Sequence, residues 1–243
     1  LIIDWNSFNV SPDEEVIFNQ PSEHSVAINN ILQYDASEIN GRISANGKVI
    51  LINPRGIIFG ENSQINTSAL IASSLSLLEE SFLNGEYIFK DFDDTQGVII
   101  NNGTIKASMG VSLVGESVIN NGLVQAQLGY INLAAGRQAY LTFDELGFMG
   151  IKIDQEVINN DLGLKQLIEN NGQLSAAGRV AITAQASSGL FDRAINNTGI
   201  VKATGFNHQP GNVYIEGQQV IHSGVIDVSS DAGLGGQIDV LGD

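Results

Sequence analysis

Side chains capable of acid–base or metal chemistry occur along the chain, but their spacing matches no catalytic pattern. The three histidines, His24, His208 and His222, lack a second His or Cys at the short spacing of a zinc site. The 243 residues include no Cys, hence no thiol nucleophile, and contain neither a Gly-x-Ser-x-Gly elbow nor a phosphate-binding loop. We therefore expect a non-enzymatic protein without a metal ion or another cofactor.

The acidic run Asp91–Gly97, which reads DFDDTQG, is the nearest approach to a cation site. Carboxylates at such spacing can bind calcium, but the glycine stands one place too late and the closing Glu of a calcium loop is missing. We therefore interpret the run as a solvated acidic loop.

The composition of the chain limits the classes of partner that it can bind. The chain has 27 acidic and 11 basic residues and a formal net charge of −16. Binding to DNA or anionic lipid needs clustered Lys and Arg, so we expect no nucleic-acid partner. No apolar run reaches the roughly 18 residues of a membrane-spanning helix. The chain begins Leu1-Ile2-Ile3 without Met or a charged leader, so we expect a fragment or a processed chain.

An Asn-rich repeat indicates how the chain is built. A pair of Asn residues and a Gly, followed by alternating apolar residues, recurs at Asn101, Asn102 and Gly103, at Asn120, Asn121 and Gly122, at Asn170, Asn171 and Gly172, and more loosely at Asn196 and Asn197. Asn and Gly tolerate positive φ angles, so these residues mark corners between extended segments. Each copy is followed by Gly-x-apolar-x-apolar, as in Gly129–Leu133, and this two-residue period is typical of strands.

Short repeated strands without an amphipathic helix predict a parallel β-solenoid, in which inward Val, Ile and Leu residues stack into columns. We interpret residues 1–243 as one all-β domain with excursions from the coils near 70–95 and 140–168. Gly41 and Gly103 are 62 residues apart, and Gly122 and Gly172 are 50 apart. These intervals suggest three and two windings.

A solenoid rich in carboxylates could alternatively be a carbohydrate-active or carbohydrate-binding protein. Such enzymes use clustered Asp with a basic residue, and Arg137, Arg179 and Arg193 could meet on one face of the coils. With only 11 Lys and Arg residues in the chain, however, a groove for a polyanion would be hard to assemble. We keep this function as the alternative.

The segment Ile43–Ile57, ISANGKVILINPRGI, resembles the ANGxVxLINPNGI segment of the haemagglutination-activity (TPS) domain of two-partner-secretion exoproteins, the filamentous haemagglutinin-like family. Upstream, Ile3–Val10 and Phe18–Ser22 are similar to the opening strands of that domain. Downstream, Gly136–Leu141 and Arg193–Gly199 are similar to its later coils. The resemblance implies a right-handed parallel β-helix with extra-helical hairpins and an N-terminal cap, whose first part would be missing here.

The resemblance also implies a function. Such a domain is the secretion signal and surface-presentation module of a large adhesin-like exoprotein. It is recognised by the periplasmic POTRA modules of a dedicated outer-membrane transporter and folds outside a Gram-negative cell. A host-cell receptor or glycan would be a partner of the full-length protein, and we expect the domain to be a monomer. The absence of Cys agrees with this route, because a crosslink would obstruct threading.

By the same resemblance, the candidate recognition residues are Asn53, Pro54, Arg55, Gly56 and Ile57, where the family usually has Asn in place of Arg55. The nearest counterpart of the family's upstream Asn-Pro-Asn-Leu segment is Asn19, Gln20, Pro21 and Ser22. The residue types alone also predict that 53–57 is simply a turn, because Pro54 fixes its own φ angle and Gly56 can adopt a positive φ. At this point both interpretations stay open.

Overall fold

Strands make up most of the structure, a computed structural model that describes residues 1–91, 97–143, 149–206, 208–230 and 234–242. In chain order the elements begin with β1 (Ile2–Trp5), β2 (Glu15–Phe18), β3 (Val26–Ile31), β4 (Ser37–Ile39), β5 (Arg42–Ala45), β6 (Lys48–Ile52), β7 (Gly56–Phe59), β8 (Gln64–Ser73), β9 (Ser76–Leu77), α1 (Glu79–Leu83), β10 (Tyr87–Lys90), β11 (Val98–Asn101), β12 (Thr104–Gly115) and β13 (Ser117–Asn120). They continue with β14 (Leu123–Ala126), β15 (Tyr130–Ala135), β16 (Gln138–Phe143), β17 (Met149–Gln155), β18 (Gln166–Asn170), β19 (Gln173–Ala176), β20 (Arg179–Ala184), β21 (Arg193–Asn197), β22 (Ile200–Ala203), β23 (Asn212–Glu216), β24 (Val220–His222), β25 (Val225–Asp227) and β26 (Gln237–Leu241). No helix in these ranges is long and apolar enough to cross a lipid bilayer.

The strands wind into a parallel β-helix with three faces, which confirms the predicted fold class. The first face contains β2, β5, β14, β19, β22 and β25, and the second contains β1, β3, β6, β15, β20, β23 and β26. The long strands β8 and β12 run through both faces, because their first halves pair on the first face and their second halves on the second. The third face contains β4, β7, β11, β13, β18, β21 and β24.

Columns of apolar side chains form the interior, because each strand stacks in register on its counterpart one coil earlier. On the first face the column is Val16, Ile43, Ile65, Ile105, Val124, Leu174, Val201 and Ile226. On the third face it includes Ile57, Ile99, Val118, Ile168 and Ile195. Branched side chains suit this pleated, buried surface, and burial of each contributes roughly 1.5–3 kcal/mol.

The number of windings between the marker glycines differs from the prediction. Arg42 pairs with Gln64 and Gln64 with Thr104, so the 62-residue interval from Gly41 contains two windings rather than three. Leu123 pairs directly with Gln173, so the 50-residue interval from Gly122 contains one winding rather than two. The remaining residues of both intervals lie in the excursions.

The two excursions form one antiparallel sheet outside the coils, with the strand order β17-β16-β10-β9. The first excursion begins later than predicted, since residues 70–73 belong to β8. The second begins slightly earlier, because β16 starts at Gln138, and it ends earlier, since residues 166–168 belong to β18. The sheet buries Phe89, Leu141 and Ile153 in a second apolar cluster with outward-facing residues of the second face, such as Ile50 and Ile71. The excursions therefore cover an apolar outer surface of the β-helix.

A buried ion pair joins this outer sheet to the coils. Arg137 Nη2 lies 2.9 Å from Asp91 Oδ2, and Arg137 Nε lies 3.6 Å from Glu116 Oε1. The Asp91 side chain is 2% exposed, so the first carboxylate of the acidic run is not solvated as we expected. Residues 92–96 of that run lie outside the described residues. Asp91 follows β10 and Glu116 lies between β12 and β13, so Arg137 connects the outer sheet to the coils. Removal of Arg137 would leave two buried carboxylates without this cation, which is strongly destabilising.

The interior columns set the stability of the coils. Leu174 is fully buried between Val124 and Val201, so Leu174→Ala is expected to lower the free energy of unfolding by about 3 kcal/mol through a cavity. Chemical denaturation followed by circular dichroism measures this change. The control is Ser175→Ala, the next residue of the same strand, which is half-buried and is expected to change stability by less than about 0.5 kcal/mol. Equal effects of the two substitutions would contradict the assigned inward face.

Candidate functional site

The segment Asn53–Ile57 forms a tight turn between β6 and β7. The Gly56 amide donates to the Asn53 carbonyl at 2.8 Å, and the Arg55 amide donates to Asn53 Oδ1 at 2.9 Å. The side-chain bond is an Asx turn superimposed on a β-turn. Gly56 has a φ of +109°, and a Cβ there would lie 2.6 Å from the Val98 carbonyl oxygen. The turn therefore requires Gly at this position.

The side chain of Asn53 connects this turn to the preceding coil. Its Nδ2 donates to the Asp35 carbonyl at 3.1 Å and to Ser37 Oγ at 3.0 Å, and the residue is fully buried. Ile57 is fully buried as well and stacks in register with Ser37. Of the five candidate recognition residues, only half-buried Pro54 and exposed Arg55 are accessible at the tip of the turn.

The second candidate segment, residues 19–22, packs on the corner between β5 and β6. The Gln20 amide donates to Asn46 Oδ1, and Asn46 Nδ2 donates back to the Gln20 carbonyl, both at 2.7 Å. Gly47 packs against the Gln20 side chain, whose Nε2 donates to the carbonyls of Ser25 and Lys48, and a Cβ on Gly47 would lie 2.6 Å from that side chain. Asn19, Pro21 and Ser22 are exposed. In the described part of the chain, no hydrogen bond joins this segment to Asn53–Ile57.

The repeated Asn residues form a buried ladder of side-chain amides on the third face. Asn101 Nδ2 donates to Asn120 Oδ1 at 2.8 Å, Asn120 donates to Asn170 at 2.8 Å, and Asn170 donates to Asn197 at 2.6 Å. All four residues have no exposed surface. Asn197 Nδ2 lies 2.8 Å from His222 Nδ1 in the next coil. A primary amide both donates and accepts, so each residue satisfies its neighbours above and below.

A second, exposed row of amides runs beside the buried ladder. Asn121 Nδ2 donates to Asn102 Oδ1 at 2.8 Å, Asn171 donates to Asn121 at 2.9 Å, and Thr198 Oγ1 donates to Asn171 at 2.7 Å. Asn196 belongs to neither row, because it pairs in register with Glu169. The structure thus aligns Asn197 and Thr198, rather than Asn196 and Asn197, with the earlier Asn pairs.

A groove beside the tip of the Asn53–Ile57 turn is lined by exposed residues that the sequence patterns did not indicate. The groove has a volume of about 490 Å³, and its walls include Leu32, Tyr34, Pro54 and Arg55. The Tyr34 residue is 88% exposed and Leu32 is 62% exposed. We call these four residues the Tyr34 surface. No sequence pattern marked Leu32 or Tyr34, because exposure of a single apolar residue in a loop leaves no periodic signal.

The arginines of the carbohydrate hypothesis do not converge. Arg137 pairs with Asp91 beneath the outer sheet, whereas Arg179 on the second face lies with its guanidinium carbon 5.2 Å from the ring centre of Tyr214. Arg193 begins β21 on the third face. The structure therefore provides no shared groove of these three cations.

The pKa shifts of the described residues have local structural causes. A hydrogen bond from its hydroxyl to Glu216 raises the pKa of Tyr214, and burial raises the pKa of Tyr87. A hydrogen bond from the Ser229 side chain lowers the pKa of Asp227. These groups lie on different elements, and the described ranges contain no cluster of three or more His, Cys, Asp or Glu residues suited to a metal ion.

Comparison with known proteins assigns this β-helix to a family. The family model described as the TPS secretion domain matches residues 1–228. The chain therefore belongs to the TPS secretion-domain family, which is found in large exoproteins that are secreted or exposed at the cell surface. Membership implies a dedicated outer-membrane transporter as the partner, and it does not favour the carbohydrate-active alternative.

Three proteins similar to this chain come from Haemophilus influenzae. A heme/hemopexin-binding protein is 31% identical over 238 residues, which cover 95% of this chain and 25% of the relative. Another heme/hemopexin-binding protein is 29% identical over 264 residues, with 99% and 27% coverage. The chain thus spans about a quarter of these relatives. The crystal structure of the HMW1 secretion domain matches with a TM-score of 0.85 and 26% identity over 99% of this chain and 63% of that one.

The turn at residues 53–57 should tolerate changes at its tip but not at its Gly. Gly56→Ala is expected to lower the free energy of unfolding by at least about 2 kcal/mol, because the added Cβ meets the Val98 carbonyl at a strained φ. Arg55→Ala is the matched control, and it should be nearly neutral because Arg55 is exposed. Thermal and chemical unfolding measure both. Wild-type stability of Gly56→Ala would contradict the close approach of β7 to β11 at this point.

A substitution in the buried amide ladder is expected to make the stability of the domain depend on pH. In Asn120→Asp the buried carboxylate has no proton to donate to Asn170 Oδ1, so the folded state favours the protonated acid and its pKa is raised. Stability should therefore be near that of the wild type below about pH 4 and should fall by about 3 kcal/mol as the pH rises to 7. Urea unfolding at several pH values measures this dependence. Asn121→Asp in the exposed row is the control and should show no such fall.

Proposed function

We propose that this chain is a non-enzymatic secretion-signal and surface-presentation domain, recognised by periplasmic POTRA modules of its transporter and folded into a β-helix outside the cell. The observation that carries the proposal is the family match over residues 1–228 on a fold built coil by coil. The segment Asn53–Ile57 would contribute to recognition through the first coils. We assign no ligand of the whole exoprotein to this domain.

The coil architecture supports export of an extended chain. Each strand pairs mainly with the strand one coil earlier, as β14 pairs with β12 and β19 with β14. Stability in such arrays is the sum of neighbouring contacts, so folding can advance one coil at a time as the chain emerges. Each added coil buries further apolar columns, and that free energy opposes backward sliding of the chain.

Composition supports the same route. The chain has no Cys, so no disulfide can form in an oxidising periplasm and obstruct passage. Its net charge of −16 opposes association between copies while the chain is extended. Both properties suit a polypeptide that must remain unfolded and soluble before it crosses a membrane.

Calorimetry tests this function directly. The purified domain, either folded or held unfolded in urea, is titrated with the periplasmic modules of its cognate transporter, and we expect saturable one-to-one binding in at least one state. Periplasmic modules of an unrelated transporter are the control and should give no saturable heat. Absence of binding by both the folded and the unfolded chain would refute the proposed function.

A further inference from the structure

Six Asn-Gly pairs occur in the chain, and each is a candidate site of deamidation. In this reaction the Gly nitrogen bonds to the side-chain carbonyl carbon of the Asn, and the side-chain NH2 leaves with the proton of the Gly amide as ammonia. Water then opens the succinimide ring to an aspartate or an isoaspartate. Glycine favours the attack because it has no Cβ to hinder the approach. The six pairs begin at Asn40, Asn46, Asn84, Asn102, Asn121 and Asn171.

The three pairs in the exposed row of amides are held between stacked coils. The Gly122 amide donates to the Asn101 carbonyl at 3.0 Å, and the Gly172 amide donates to the Asn120 carbonyl at 3.0 Å. The Gly103 amide donates to Asn101 Oδ1 at 3.2 Å. A Cβ on Gly122 or Gly172 would collide with the carbonyl of the glycine one coil earlier, so this backbone is enclosed. Attack by these nitrogens therefore requires separation of neighbouring coils.

The two pairs in the first coils are also fixed by hydrogen bonds to a neighbouring segment. Gly41 is buried, and its amide donates to the Val10 carbonyl at 3.1 Å. Asn46 exchanges two hydrogen bonds of 2.7 Å with the backbone of Gln20. Its side chain can turn toward the following nitrogen only if both of these bonds break. Five of the six pairs are thus part of the stacked structure.

The pair Asn84-Gly85 differs because it lies outside the coils, at the end of α1. Both residues are exposed, and no atom of the described chain lies within 4 Å of the position that a Gly85 Cβ would take. The Gly85 amide donates to the Phe82 carbonyl at 3.0 Å, and Asn84 Nδ2 donates to the Glu80 carbonyl at 3.1 Å. These bonds end a helix of five residues. The ends of short helices open at low free energy, so the reacting atoms become free here without separation of any coils.

We propose that Asn84 is a site of spontaneous deamidation in the folded domain, whereas the five pairs in the coils are protected as long as the coils are stacked. The rate at each pair follows the population of its open form, and an unfolded chain exposes all six pairs to the reaction. Folding therefore determines which amides react. The product carboxylate at position 84 cannot donate to the Glu80 carbonyl, so the reaction weakens the end of α1 that leads into β10.

Peptide mapping by mass spectrometry tests this site in the complete domain. The folded domain is incubated at neutral pH, and conversion of each Asn-Gly pair is followed with time. Conversion at Asn84 is expected to be at least about tenfold faster than at Asn121 or Asn171, and in urea the three rates are expected to agree within about threefold. Equal rates in the folded domain would overturn the proposal. An excess at Asn84 that persists in urea would also overturn it, because the neighbouring residue types rather than the fold would then set the rates.

A variant at the attacking nitrogen tests the chemistry at this site. Gly85→Asn adds a Cβ next to that nitrogen, and Asn is the side chain that best tolerates the φ of +82° at this position. Conversion of Asn84 is expected to slow by about tenfold or more, while conversion of Asn121 stays at the wild-type rate. Unchanged conversion of Asn84 would rule out attack by the Gly85 nitrogen.

A variant of the interior column tests the protection by stacking. Leu174→Ala loosens the coil that contains Asn171, so conversion of Asn171 is expected to rise by about tenfold or more. Conversion of Asn84 should stay at the wild-type rate, because α1 lies outside the coils. Ser175→Ala is the matched control and should leave both rates unchanged. No rise at Asn171 in Leu174→Ala would show that coil stacking does not protect this pair and would overturn that part of the proposal.

Discussion

Registered parallel stacking is the constraint on which the rest of this molecule depends. Each inward residue lies directly above its counterpart one coil earlier, so a side chain must be compatible with the residues directly above and below it. Branched apolar residues meet this condition by packing, and Asn meets it by hydrogen bonding, because a primary amide can donate to one neighbour and accept from the other. The ladder from Asn101 to Asn197 is therefore compatible with complete burial.

The coils tolerate insertions at corners because registered strands resume afterwards. Two excursions separated in sequence share one antiparallel sheet, which adds a second apolar cluster around Phe89 and Leu141. Arg137 pairs with Asp91 next to β10 and with Glu116 between β12 and β13, and so connects that sheet to the coils. The outer sheet thus covers apolar residues of the second face that would otherwise meet water.

The turn at Asn53 combines residues that determine the backbone with residues that face solvent. Its Asn and Gly are buried and determine the backbone, while the neighbouring loop and the tip of the turn present Tyr34 and Arg55 to solvent. The structure shows that the segment is a turn, and its role in recognition stays a prediction.

The amino-acid sequence by itself determined the strand periodicity, the corner residues, the β-helix class and the secretion-domain family, because these depend on local alternation and on short motifs such as Asn53–Ile57. Only the tertiary structure decided the number of windings, the shared sheet of the two excursions, the alignment of Asn197 rather than Asn196 in the ladder, and the exposure of Tyr34. These features depend on which strands stack and which loops pack together. Such long-range registers join residues 19 to 50 positions apart, and local alternation of residue types does not determine them.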